Sequence, residues 1–129
     1  MNFSSPLKVF TLEYDAATNS ISPHVRYISP DNVLQDLYRI LTCDLVTCTE
    51  IEVNGKLFDV WSDDEALLKD KPAPNLYIDD DLIIFGSVAF AKVDDDGNLA
   101  GLSRDDVHLL WDFATVQFAK LLTFLKKRK

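Results

Sequence analysis

The dipeptide Asn54-Gly55 constrains this chain more than any other feature. Both residues readily take the positive φ angles of a type I′ turn, whose twist matches the strands it joins. A two-residue loop also fixes the register around it. It predicts strands over 45–53 and 56–61, with Val53 opposite Lys56, Ile51 opposite Phe58 and Thr49 opposite Val60. Ile51, Val53, Phe58 and Val60 then share one face, while Glu50, Glu52 and Asp59 share the other. Such a hairpin must lay its apolar face on a core.

The flanking segments extend this sheet. Residues 7–14 and 21–28 are rich in β-formers and are separated by the turn signal of residues 15–20. Pro23 gives the second strand an edge position or a late start. Ser29-Pro30-Asp31 reads as a helix start, with Ser29 as cap and Pro30 at the first helical position. Val33, Leu34, Leu37, Tyr38 and Leu41 then form one apolar stripe, so this short helix should pack on a sheet. Residues 62–71 predict a helical turn or two capped by Ser62 and ended by Pro72 and Pro74. Residues 82–93 are apolar on both parities, as in a central strand. Ile84, Val88 and Phe90 point one way; Ile83, Phe85, Ala89, Ala91 and Val93 point the other. Gly86 marks a bulge or a close contact, and Asp96-Gly97 turns the chain into a brief return over 99–102.

A long final helix starts at Ser103, with Asp106 in the fourth position of a capping-box-like pattern. Val107, Leu110, Trp111, Ala114, Phe118, Leu121, Leu122 and Leu125 make a broad stripe expected to face the sheet. At 100° per residue Leu109, Phe113, Val116 and Phe124 fall outside it. These four are the candidate interface: a second element of the fold, another copy or a partner protein must cover them.

The segments add up to one α+β domain over residues 1–129, with a mainly antiparallel sheet of about five to seven short strands, one short helix and a long C-terminal helix. The net charge is −8, and the tail Lys126–Lys129 is basic, so the body is more acidic than the total. An acidic body repels phosphate, which argues against direct nucleic-acid binding. The first residues lack a leader-like apolar core, and no stretch approaches ~18 apolar residues. A cytoplasmic, non-membrane protein is expected.

Motifs for chemistry are weak. Cys43 and Cys48 are poorly spaced for a metal, and both are expected to be reduced and structural. Asp79-Asp80-Asp81 reads as a solvated turn, and Asp94-Asp95-Asp96-Gly97-Asn98 as a hairpin rather than a calcium loop. His24 and His108 stand apart, with Asp112 four residues after His108. No catalytic, cofactor-binding or metal-ligating residue is assigned, and no cofactor is expected.

The order of segments resembles a small family of bacteria, phages and mobile elements known only as a domain of unknown function. The resemblance rests on Val33-Leu34-Gln35-Asp36-Leu37, the hairpin of 51–60, Pro74-Asn75, Ile83-Ile84-Phe85-Gly86, Asp95-Asp96-Gly97 and residues 102–107. Where the family usually has a Gly-Gly pair after the first helix, this chain has Thr42-Cys43. The resemblance implies no catalytic residues. The leading expectation is a non-enzymatic interaction protein of phage or mobile-element type, self-associating or binding a protein through the final helix. The alternatives are an acidic anti-defence protein or DNA mimic, and a small ligand- or nucleotide-binding enzyme. The last needs Trp61, Tyr77 and nearby aspartates around one cleft.

Overall fold

The computed structural model describes residues 5–69 and 71–127. Eight strands and two α-helices run in the order β1 (Leu7–Asp15), β2 (Ser20–Ile28), α1 (Val33–Leu41), β3 (Val46–Val53), β4 (Lys56–Asp63), β5 (Pro74–Asp79), β6 (Leu82–Phe85), β7 (Val88–Val93), β8 (Leu99–Ala100) and α2 (Arg104–Lys127). A six-stranded antiparallel sheet has the order β2-β1-β7-β4-β3, with β8 also paired to β7. Strands β5 and β6 form a separate two-stranded ribbon.

The hairpin holds the register its turn dictates. Val53 pairs with Lys56, Ile51 with Phe58 and Thr49 with Val60. Asn54 and Gly55 have φ of 51° and 81°, as a type I′ turn requires. Ile51, Val53, Phe58 and Val60 are all buried. Strand β4 runs on through Ser62, which is buried and pairs with both Thr47 and Val88. Ser62 therefore caps nothing; only a single 3₁₀ turn, Ala66–Leu68, follows.

The apolar run of 82–93 is two strands, not one. Gly86, at φ +79°, turns the chain out of the ribbon and into β7. A residue with a Cβ rarely takes that φ. Strand β7 is central, and Val88, Ala89, Phe90 and Ala91 are buried on both faces. Phe90 and Val88 join the large cluster with Phe10, Phe58 and Leu110 under α2. Ala89 and Ala91 lie on the α1 face, beside Leu37, Leu41, Val9 and Ile28. The sheet thus carries aromatic bulk toward the long helix and small residues toward the short one. Pro23 sits on β2, an edge strand, where a missing N–H is tolerated.

Helix α1 begins three residues later than Pro30 suggests. Asn32 is its N-cap residue. Ser29 instead forms a turn, accepting from the Asn32 amide at 3.0 Å and giving its own amide to Asp36 Oδ2 at 2.7 Å. The expected stripe is the buried one at Leu37 and Leu41, while Leu34 is half-exposed. Thr42 ends the helix in the left-handed region with φ 54°. The Cys43 amide donates back to Tyr38 O at 3.1 Å. The glycine-type terminus is kept without a glycine.

Candidate functional site

Helix α2 is pinned by polar groups, and their positions decide which of its sides is free. Ser103 and Asp106 form a reciprocal capping box: the Asp106 amide donates to Ser103 Oγ at 3.0 Å, and the Ser103 amide to Asp106 Oδ2 at 2.9 Å. Asp106 is 1% exposed. It also accepts from Lys92 Nζ of β7 at 2.6 Å and from Lys56 Nζ of β4 at 3.2 Å. Burial pushes its carboxyl pKa upward, but the Lys92, Ser103 and Lys56 hydrogen bonds outweigh that and hold it well below the usual carboxylate range. Three turns on, buried Gln117 donates from Nε2 to Tyr77 O of β5 at 2.7 Å. The Phe124 ring lies 5.8 Å from that of Tyr77.

These pegs turn the helix away from its apolar stripe by roughly 70° at 100° per residue. The centre of the buried side runs through Asp106, Leu110, Gln117 and Leu121. Leu109, Phe113 and Phe124, expected on the far side, are turned onto the protein. Leu109 and Phe113 pack on the large cluster, and Phe113 meets Phe90 edge-on at 6.5 Å. Phe124 is covered by the ribbon. Only Val116 of the four is largely free, at 53% exposed. The side left open comes from the stripe expected to face the sheet: Trp111 (50%), Phe118 (48%), Leu122 (45%) and Leu125 (38%). Trp111 and Phe118 border a groove of about 220 Å³ whose other wall is Phe10, Leu12, Ile21 and Pro23 of β1 and β2.

A second concavity, about 790 Å³, opens on the opposite face beyond the C-terminal end of α1. Glu13, Ser22, His24, Asp63 and Lys69 line it. His24 is not isolated here, since its Nε2 lies 3.0 Å from Ser22 Oγ. That contact follows from i, i+2 spacing on one strand, a signal present in the sequence. Glu13, Asp63 and Lys69 of the cleft are engaged. Glu13 is held by two 2.8 Å hydrogen bonds from Arg26 and one from Thr11. Burial raises the Glu13 pKa, and the Arg26 and Thr11 contacts more than reverse this. Asp63 pairs with Lys69 at 3.4 Å and accepts the Glu65 amide. The Gly86 and Tyr14 amides donate to Ala73 O and Ser87 Oγ. Among the described residues no carboxylate is hydrogen-bonded to His24, and the nearby Glu13 is committed to Arg26 and Thr11, so the Ser–His contact lacks the orienting member of a nucleophilic triad.

The remaining sequence candidates are structural. Asp79 accepts the Asp81 amide and Tyr77 donates to Asp80, which makes a solvated turn. Asp94 Oδ1 accepts the Asp96 and Asn98 amides at 2.9 and 3.0 Å, which organises the β7–β8 hairpin. Trp61 packs on the α1 face and Tyr77 lies on the ribbon against α2, so the two do not share a cleft. His108 is exposed on α2. Cys43 lies after α1 and Cys48 on edge strand β3, both as free thiols. Local packing and the Asp59 and Glu50 carboxylates push the Cys48 thiol up to about 11, so it is a poor nucleophile. Of the basic tail, Arg128 and Lys129 lie outside the described residues. Among the described residues no helix is long and apolar enough to cross a membrane.

An antiparallel sheet with a helix on each face and a half-bare terminal helix defines an α+β protein whose most distinctive surface is apolar. Residues 15–115 match the family described as a domain of unknown function (DUF3846), and the chain belongs to that family. No curated protein and no solved structure matches it. The family match ends at residue 115, so Phe118, Leu122 and Leu125 of the open flank lie beyond it.

Proposed function

We propose that this chain is a non-enzymatic interaction protein whose contact surface is the open flank of α2 and the groove beside it. The observation that carries this reading is the exposure of Trp111, Phe118, Leu122 and Leu125 on one flank of a helix otherwise fixed by packing and buried hydrogen bonds. Large apolar groups held rigidly in water are the usual makings of a protein contact. The engaged polar groups of the His24 cleft favour this reading over a catalytic one. Carboxylates such as Asp36, Asp63, Asp94 and Asp106 serve the fold itself, which weakens the alternative of a phosphate-mimicking array.

The test compares the native protein with the Trp111→Glu/Phe118→Glu double variant, alone and in extract of the native host. The native chain should run above its 14.6 kDa monomer mass in at least one of the two. The variant should unfold cooperatively yet run as monomer in both. A native chain that is monomeric in both settings refutes the reading.

A further inference from the structure

We infer that the occupant of this flank is a second copy of the chain, packed antiparallel along α2 about a two-fold axis. This rests on the interaction reading above and names its partner.

The first observation is spacing. Trp111, Thr115, Phe118, Leu122 and Leu125 recur at alternating steps of four and three. That is the 3.5-residue repeat by which one helix presents a seam to another. All five positions are exposed. The one polar member, Thr115, donates its hydroxyl to Trp111 O at 3.0 Å, so pairing strands no hydroxyl.

The second is charge. Asp112 and Lys126 each follow an end of the seam, so both flank it on the same side, about 21 Å apart at 1.5 Å per residue. Both are exposed, and neither joins an ion pair among the described residues. A parallel pair would set each Asp112 on the opposite side of the seam from its copy, and likewise each Lys126, so neither would meet its complement. An antiparallel pair sets each Asp112 beside the partner's Lys126, twice. A two-fold axis also brings the middle of the seam onto its own copy, and that middle is Phe118 and Ala119, which carry no charge. The surface is complementary to itself, as an isologous interface must be.

The third is area. Val25 pairs directly with Phe10, so Val25 and Tyr27 present the α2-side face of β2 beside the groove. They are 43% and 55% exposed. With Trp111, Phe118, Leu122 and Leu125 they offer apolar surface on the order of 500 Å². A standard interface of about 800 Å² per partner, about 60% apolar, needs a similar amount.

Sedimentation equilibrium of the full chain from about 1 to about 300 µM tests this. The native protein should pass from monomer to dimer in that range. Asp112→Lys alone and Lys126→Asp alone should each weaken the dimer roughly tenfold, because two flanking attractions become repulsions. The double reversal Asp112→Lys/Lys126→Asp should return within about threefold of native. Phe118→Glu should abolish the dimer and shift the unfolding midpoint of the dilute chain only slightly. A native chain monomeric at the highest concentration overturns the second-copy assignment. If its extract complex is still lost on Trp111→Glu/Phe118→Glu, the interaction reading survives with a foreign partner; otherwise both fall. A dimer indifferent to the single reversals overturns the antiparallel arrangement.

Discussion

The two helices of this protein lie on opposite faces of one sheet and reach it by different routes. Helix α1 docks the stripe its sequence displays: Leu37 and Leu41 are buried over the small residue Ala89. Helix α2 does not. It buries Asp106 and Gln117 at the centre of its contact and leaves Trp111 and Phe118 half in water. Where only apolar burial acts, the helix rotates to put its stripe inside. Where a buried carboxylate has two lysines waiting on β4 and β7, its hydrogen bonds set the rotation instead. The residual apolar side then becomes surface, and surface of that kind is available for function.

The contrast makes graded predictions. The largest effect belongs to α1, where Leu37→Ala empties a site that is 1% exposed and should cost about 3 kcal/mol. Leu122→Ala, on the open flank of α2, should change stability by under about 0.5 kcal/mol in dilute solution. Urea denaturation of both reads the difference, and equal costs would erase the distinction between the helices.

Next comes the peg. Asp106→Asn removes the charge that Lys56 and Lys92 approach and weakens the cap. A loss of about 2 kcal/mol is expected, at the low end for a buried pair because both lysines reach water. The pH dependence has a definite sign. The folded pKa of Asp106 lies below its unfolded value of about 4. Its contribution is therefore fully present above that value and is lost as pH falls toward the folded pKa. The native protein should lose stability below about pH 4, and Asp106→Asn should show a shallower acid limb. Parallel acid limbs would remove Asp106 from the account.

Much of this fold is legible in the sequence, and the reasons are local. Asn54-Gly55 sets a turn and thereby a register, and Ser103 with Asp106 sets a helix start. The alternation of Val88 and Phe90 against Ala89 and Ala91 assigns both faces of the sheet. The division of 82–93 into two strands was hidden because β6 and β7 are equally apolar, and Gly86 carries the break in its φ alone. The site was hidden for a deeper reason. Nothing near Asp106 in sequence shows that Lys56 and Lys92 converge on it, since sheet register brings them there. Nothing near Gln117 shows that Tyr77 O needs a donor. The 4-3 spacing of the open seam was visible, but an apolar stripe read without these partners points to the core.

The most direct test is a comparison of two substitutions, Phe113→Asp and Phe118→Asp, by equilibrium unfolding at concentrations well below dimer formation. Phe113 packs on Phe90, and its replacement should cost about 3 kcal/mol or more. Phe118 stands on the open flank, and its replacement should cost under about 1 kcal/mol. The reverse order, with Phe118→Asp the more damaging, would mean that α2 docks its apolar stripe after all and that the open flank does not exist.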